Sequence, residues 1–490
     1  MLTRRQLLLA AALAGCARVA PPAARLAGSV PVNDLHAQLS ATTVDRIVAV
    51  DSVDGIRRAL REAREADRAV SIAGGRHAMG GQQFGTGTVL LDTRPLRRVL
   101  GFDRARGLVE VEAGILWPEL IQYLLDAQQR EWPQWAIRQK QTGADRLSLG
   151  GALSANVHGR GLRFRPFIED VESFVLVTAD GSVLTVSRRE NAELFRLAIG
   201  GYGLFGVIAA VTLRLAPRRK LERVVDVIGV DHFAAAVERR IADGFLYGDF
   251  QYATDPEGGD FLRRGVFSCY RPVNDAGAMP ERQKELSADD WDRLLYLAHT
   301  DKARAFAEYA AYYLSTSGQL YWSDTHQLGY YQDGYHAALD RRLGATAPGT
   351  EMISEIYVPR GELAAFLAEV ADDFRKTQVN VVYGTVRLIE RDDESVLAWA
   401  REPWACVIFN LHVVHTPERV ASAADAFRAL IDLGIQHGGS YYLTYHRWAR
   451  RDQVERCYPQ MREFLRAKRR YDPYELFHSD WYRHHRRMFG

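Results

Sequence analysis

Apolar and polar positions alternate with different periods along this chain, and the periods predict its elements. Ile47–Val50 is a short apolar run, and Val53 to Ala66 repeats apolar residues at helical spacing. Ala69–Ala73 reads as a buried strand that runs directly into glycines, and Val89–Asp92 as a second strand. Residues 42–94 therefore predict a βαββ arrangement. Between Leu108 and Leu125 the pattern gives a strand (Val109–Ala113), a turn at Gly114 and a helix. Phe174–Thr178 and Val183–Val186 flank Asp180-Gly181, which predicts a hairpin closed by a two-residue type I′ turn.

After Pro217 the character changes. The stretch from about 225 to 440 is richer in Tyr, Trp and His, and the last fifty residues are aromatic and basic, with Asp472-Pro473 near the end. This predicts a first domain split in two, 36–220 plus 441–490, with a second domain, 221–440, inserted between its halves. A chain of 490 residues is long enough for two or three domains.

Composition changes that picture little. The hydrophobic share of 47% and charged share of 25% are those of a globular protein. A net charge of +2, with arginines scattered rather than striped, argues against a nucleic-acid partner. Cys16, Cys269, Cys406 and Cys457 have the spacing of neither a zinc site nor a redox pair, so no metal is expected. Cys16 stands apart. Arg4-Arg5, a short apolar run from Leu7 to Ala14, and Leu13-Ala14-Gly15-Cys16 resemble an export signal ending in a bacterial lipobox. The paired arginines also resemble a twin-arginine signal, used for proteins exported folded. Residues 1–35 are thus read as targeting segment and linker, the mature protein being lipid-anchored at Cys16 on the extracytoplasmic (periplasmic) side of a membrane. A frayed apolar N-terminal helix is the plainer alternative.

Three glycine-rich segments carry the candidate chemistry. The first, Ala73-Gly74-Gly75-Arg76-His77-Ala78-Met79-Gly80-Gly81-Gln82, directly follows a strand. Glycine there frees the backbone to turn its N–H groups inward as an anion nest suited to a pyrophosphate. The spacing does not match a Rossmann dinucleotide motif. The second, Ser148 to Gly159, is dominated by small residues that would let a flat ring lie against the backbone. The third, Gly200-Gly201-Tyr202-Gly203-Leu204-Phe205-Gly206, leads into a strand beginning at Val207. Singly, each is more often a structural loop than a ligand loop.

In this order and spacing, the three segments resemble the vanillyl-alcohol-oxidase family of flavoproteins with a PCMH-type FAD domain. Residues 148–217 are similar to the cytokinin-dehydrogenase branch, including Phe164-Arg165-Pro166, Glu190 to Phe195 and Gly200 to Ile208. The resemblance implies an α+β fold, a two-subdomain FAD-binding domain with an inserted α+β substrate domain. It implies FAD as cofactor, wrapped by the loop containing Gly74, Gly75 and Arg76 and bonded through its 8α-methyl to His77. Ala78, Gln82, Ser148, Ser154, His158 and Ile208 match further FAD contacts. Members with a second covalent tether use a cysteine just before the second glycine segment; residues 143–149 contain none. Arg76 replaces the family's glycine before the histidine, and Ala78 its serine. The closing Lys468 to Pro473 with Phe477 resembles the family's C-terminal motif, which puts Ser479 and Tyr482 near the flavin. A basic amphipathic helix ended by Pro473 accounts for the same residues.

The middle region is more loosely similar to aldonolactone and alditol oxidases. Ser354 to Arg360 and Gly384 to Ile389 resemble strands of that group, and Arg387 matches an arginine near the flavin N5 face. A guanidinium there would orient a hydroxyl and stabilise negative charge on its oxygen. Alternatively, Arg387 pairs with an acid such as Glu355. The group's lysine after Gly-Gly is missing: Gly438-Gly439 is followed by Ser440 to His446, so Tyr445 or His446 stands in, with His446 the better general base by its ordinary pKa. His412 and Glu355 rank lower. Three functions stay open: hydride removal from a CH–OH group, with electrons passing to oxygen or another acceptor; amine oxidation of the cytokinin-dehydrogenase type, with Asp145 near the position of that branch's aspartate; and a flavin-binding protein of a membrane complex without turnover.

Overall fold

The computed structural model describes residues 29–129, 131–274, 277–329 and 334–490. The targeting segment and Cys16 lie outside them. The expected βαββ unit forms near the N-terminus. Arg46–Ala49, Val89–Asp92 and Val70–Ala73 make a parallel three-stranded sheet, with Val89–Asp92 in the centre. The helix Val53–Glu65 starts where the Ser52 side chain accepts from the Gly55 amide, and it buries Ile56, Ala59, Leu60 and Ala63.

A second, antiparallel sheet has the order Val183–Ser187, Val171–Val177, Val207–Arg214, Leu108–Glu112 and Val99–Asp103. Its hairpin differs from the expectation. Val177 pairs with Val183, the Gly181 amide donates to the Thr178 carbonyl at 2.9 Å, and the Thr178 amide donates to the Ser182 carbonyl at 3.0 Å. Gly181 has φ +87°, but Asp180 is not left-handed. A type I′ turn needs positive φ at both central residues, so the loop is the three-residue form, a turn followed by one left-handed glycine.

The region from Lys220 to Tyr441 forms an eight-stranded antiparallel sheet. Its order is Leu320–Trp322, Lys220–Gly229, Arg264–Pro272, Tyr247–Tyr252, Val381–Ile389, Trp404–Val414, Gly349–Pro359 and Ser440–Tyr441. Register fixes which side chains share a face: Thr385, Ile408 and Glu355 form one cross-strand row, and Arg387, Cys406 and Tyr357 the next. The helices Leu363–Thr377 and Pro417–Gln436 pack near the strands of Gly349–Pro359, burying Phe366, Val370, Phe374, Phe427 and Leu430.

The C-terminus returns to the first sheet. The Val70 amide donates to the Leu476 carbonyl, and the His478 amide to the Val70 carbonyl. Asp472 sets up this return: its buried carboxylate takes Lys468 Nζ and the amides of Leu476 (2.9 Å) and Phe477 (2.8 Å). The Lys468 to Pro473 motif is therefore the end of the helix Met461–Tyr471, the expected basic helix stopped at Pro473, and Asp472 at its C-cap docks the tail.

Candidate active site

A cavity of about 1040 Å³ runs between the glycine-rich segments and the eight-stranded sheet. At one end its wall is made of Gly74, Gly75, Gly150, Gly151, Gly203 and Gly206. All three segments singled out in the sequence thus open into one space.

The reason for glycine differs along the first loop. Gly74 and Gly75 are not left-handed; they are glycines because the chain approaches closely. A Cβ on Gly74 would lie 2.0 Å from Ser148 Oγ, and one on Gly75 2.5 Å from the Arg146 carbonyl oxygen. Arg76, where the resemblance expects glycine, has φ +60°. The left-handed turn persists without glycine, at a cost of about 1–2 kcal/mol. Arg76 also stands 4.0 Å from Asp92. Gln82 braces the loop, accepting from the Gly80 amide at 2.9 Å and donating to the Leu443 carbonyl at 2.7 Å. His77 is on the wall, and burial pushes its imidazole down to about 4, so it is neutral.

Of the expected FAD contacts, Gly74, Gly75, Arg76, His77, Ala78, Gln82, Ser154 and Ile208 line the cavity. Four others do not. Ser148 lies behind the wall, its hydroxyl accepting from the amides of Gly75 and Gly151, both at 3.3 Å. His158 is buried in the layer beneath. Ser479 caps the last helix by accepting from the Tyr482 amide at 3.1 Å, and the Tyr482 hydroxyl donates to Glu475. The tail residues hold the fold together and stay off the cavity.

Arg387 faces the same cavity. It is 6% exposed, lies on the wall, and its Nε and Nη1 have no hydrogen-bond partner among the described residues. The expected alternative, an ion pair with Glu355, does not form. Asp249, one residue from the Phe250–Val386 pair on the neighbouring strand, is 3.7 Å from Arg160 instead. A buried guanidinium left with open donors beside a cavity is costly unless something in the cavity takes them.

Glu355 has other partners. Its Oε1 lies 2.7 Å from His158 Nε2, and its Oε2 accepts from the Tyr445 hydroxyl at 3.2 Å. His158 Nδ1 faces the Gly159 carbonyl at 3.0 Å. The His158 ring thus links the Gly159 backbone to the Glu355 carboxylate. Burial pushes the Glu355 carboxyl up, but His158 and the Arg387 charge outweigh it and hold it below its ordinary value. Tyr445 is on the wall, its phenol raised well above its usual range by burial and by the Glu355 charge. His446 is not on the wall. It stacks on Trp448 at 4.2 Å, and burial pushes it down to about 3. The choice of His446 as base is therefore corrected: its side chain is buried against Phe427 and Trp448 and is not among the cavity-lining residues. Asp145 is also off the wall, bound to Lys140 Nζ at 2.6 Å and to the Gly329 amide.

Residues 44–187 match the FAD binding domain family. These residues form a PCMH-type FAD-binding domain. The α+β fold with such a domain is thus established. Among its relatives is an uncharacterized oxidoreductase of the fasciation locus of Rhodococcoides fascians, 31% identical over 37% of this chain and 39% of that protein. Cytokinin dehydrogenase 4 of Oryza sativa subsp. japonica is 28% identical over 43% of this chain and 41% of its own. L-gulonolactone oxidase of Bos taurus is 30% identical over 35% and 37%. The chain thus spans about two-fifths of the length of these relatives. The glycine cradle fits FAD: Cβ atoms on Gly74 or Gly75 would collide with neighbouring protein, and the same tight contacts bring bare backbone to the wall.

Proposed function

We propose that this chain is an FAD-dependent oxidoreductase that removes a hydride from a CH–OH group of a small alcohol, sugar or lactone. The observation that carries the reading is Arg387, a buried cation with open donors on the wall of the cavity that the FAD-binding glycines also line. FAD, when bound, supplies the two-electron acceptor for that hydride. The protein's own groups do the rest. Arg387 donates to the substrate oxygen and stabilises the negative charge that grows there. Tyr445 accepts the hydroxyl proton at its phenol oxygen while passing its own to Glu355 Oε2; His158, donating to the other carboxylate oxygen, holds Glu355 in place.

We also propose that His77 bonds covalently to the flavin, on the strength of its place on the cavity wall beside the glycine cradle and its neutral ring. Export and a lipid anchor at Cys16 are proposed from the N-terminal motif, with oxygen or another acceptor taking the electrons. Amine oxidation with Asp145 as the acid is the weaker reading, because Asp145 is held by Lys140 and the Gly329 amide.

The test is anaerobic titration of the purified yellow protein with alditols, aldonolactones and secondary amines. Bleaching by a hydroxyl donor is expected. Bleaching by amines alone would reject the reading, and no bleaching by any would favour a non-catalytic flavoprotein.

A further inference from the structure

On the wall of the same cavity, three other elements converge on Glu351. It sits on Gly349–Pro359 and is 0% exposed. His412 is its direct cross-strand neighbour on Trp404–Val414. His299 comes from the helix Ala288–Thr300 and His336 from the helix Tyr335–Leu343. Sequence spacing gave no hint of this cluster, because its members are tens of residues apart.

Its atoms are badly placed for one another as hydrogen-bonding groups. Glu351 Oε1 lies 3.4 Å from both His299 Nε2 and His412 Nδ1, and all three are buried without a hydrogen-bond partner among the described residues. Hydrogen bonds to a carboxylate are normally about 2.7–2.9 Å. Two ligands each about 2.1 Å from one tetrahedral ion stand about 3.4 Å apart. The three ligand atoms lie within 4.8 Å of one another. The second carboxylate oxygen is held separately by the Tyr335 hydroxyl, which donates to it, with His336 Nδ1 2.9 Å away as an ion-pair neighbour rather than a hydrogen-bond donor. Such outer contacts fix a ligating carboxylate in orientation. The His412 ring has its place because position 349 is glycine; a Cβ there would lie 2.5 Å from His412 Cε1.

We propose that His299 Nε2, Glu351 Oε1 and His412 Nδ1 bind a first-row divalent metal ion, against the sequence-based expectation of no metal. An imidazole and carboxylate set without thiolate suits Zn²⁺ and its neighbours Mn²⁺, Fe²⁺ and Co²⁺. Glu351 is on the cavity wall, so a solvent oxygen completing the coordination comes from the cavity. The ion ties one helix to two strands. The site is independent of the flavin reading.

The test is elemental analysis of the full chain after growth with added Zn²⁺, Mn²⁺ or Co²⁺ and dialysis, with flavin content measured on the same sample. Close to one ion per chain is expected, with X-ray absorption at the metal edge showing imidazole scattering. Glu351→Gln and His412→Gln are each expected to lose the ion, with chelation lowering the melting temperature of the wild type but not of the variants. If those variants fail to fold, the wild-type absorption spectrum decides: a shell without imidazole overturns the proposal. Protein that is yellow yet metal-free under all three conditions, with a melting temperature unmoved by added metal, overturns it and leaves the flavin reading intact.

Discussion

Gly74 approaches Ser148 so closely that a Cβ on it would lie 2.0 Å from the serine hydroxyl oxygen. Ser148 cannot simply move aside, because that hydroxyl accepts from the amides of Gly75 and Gly151. Gly74→Ala is therefore expected to spread the first two glycine segments apart. The cost is about 1–3 kcal/mol from overpacking and lost hydrogen bonds. The measurable outcome is loss of most bound FAD at unchanged expression; a variant with full flavin content would show that the contact does not shape the cradle.

His77 sits on the cavity wall, neutral through burial. Acid-precipitated protein is expected to retain its yellow fluorescence, and the proteolytic peptide containing His77 to carry the flavin mass. His77→Ala is expected to bind FAD without a covalent bond and turn over more slowly. Flavin released entirely into the acid supernatant would rule out the bond.

The glycine segments, the βαββ unit and the tail were legible in the sequence because each rests on local pattern: period, turn residues, a Pro that stops a helix. The segments' convergence on FAD was legible through order and spacing. Long-range pairing was not. Glu355 reaches His158 and Tyr445 across 197 and 90 residues, and nothing local to any of them announces it. His446 misled for the opposite reason: its ordinary pKa suits a base, but its neighbour in space is Trp448, and only the fold shows which of two adjacent side chains faces the cavity. Arg76 shows that a left-handed position need not announce itself by glycine.

Tyr445 and His446 can be told apart by experiment. Tyr445→Phe is expected to slow turnover by roughly 10²-fold, the scale of one lost proton-transfer group, while flavin content stays the same. His446→Gln is expected to leave turnover within about twofold. A kcat lost in His446→Gln but kept in Tyr445→Phe would reverse the assignment.

Acid should destabilise the fold before the carboxylates titrate. His446 and His485 are both pushed from 6.5 to about 3 by burial. The unfolded chain takes up these protons near pH 6.5, whereas the folded chain resists them until about pH 3. Their contribution is therefore fully present above 6.5 and is lost as pH falls toward 3. Each histidine contributes at most about 1.4 kcal/mol per pH unit in that window. Melting temperature measured between pH 7 and 5 is expected to fall, and His446→Gln to flatten the slope. An unchanged slope in that variant would mean His446 is solvated in solution.

The N-terminal motif gives a separate test. Cys16→Ser is expected to abolish lipid labelling and release the protein from the membrane fraction; equal membrane retention by both forms would reject the lipobox.

Arg387 carries the proposed chemistry, and its surroundings make the test sharp. A buried arginine in an ion pair, once removed, leaves an uncompensated acid and costs about 3–5 kcal/mol of stability. Arg387 Nε and Nη1 have no such partner, and its charge repels the buried Lys140. The same charge lowers the buried Glu355 carboxyl, so the two effects oppose and Arg387→Ala should leave the melting temperature nearly unchanged. Turnover is expected to fall about a hundredfold, close to 3 kcal/mol of transition-state stabilisation, the scale of one lost oxyanion donor. Arg387→Lys keeps the charge but loses the planar fork, so it is expected to recover part of the rate and not all of it. The loss should appear in kcat more than in KM, because the negative charge on the substrate oxygen develops only as the hydride leaves. A variant that melts early or loses flavin would instead make Arg387 a structural residue, and full activity in Arg387→Ala would remove it from the mechanism.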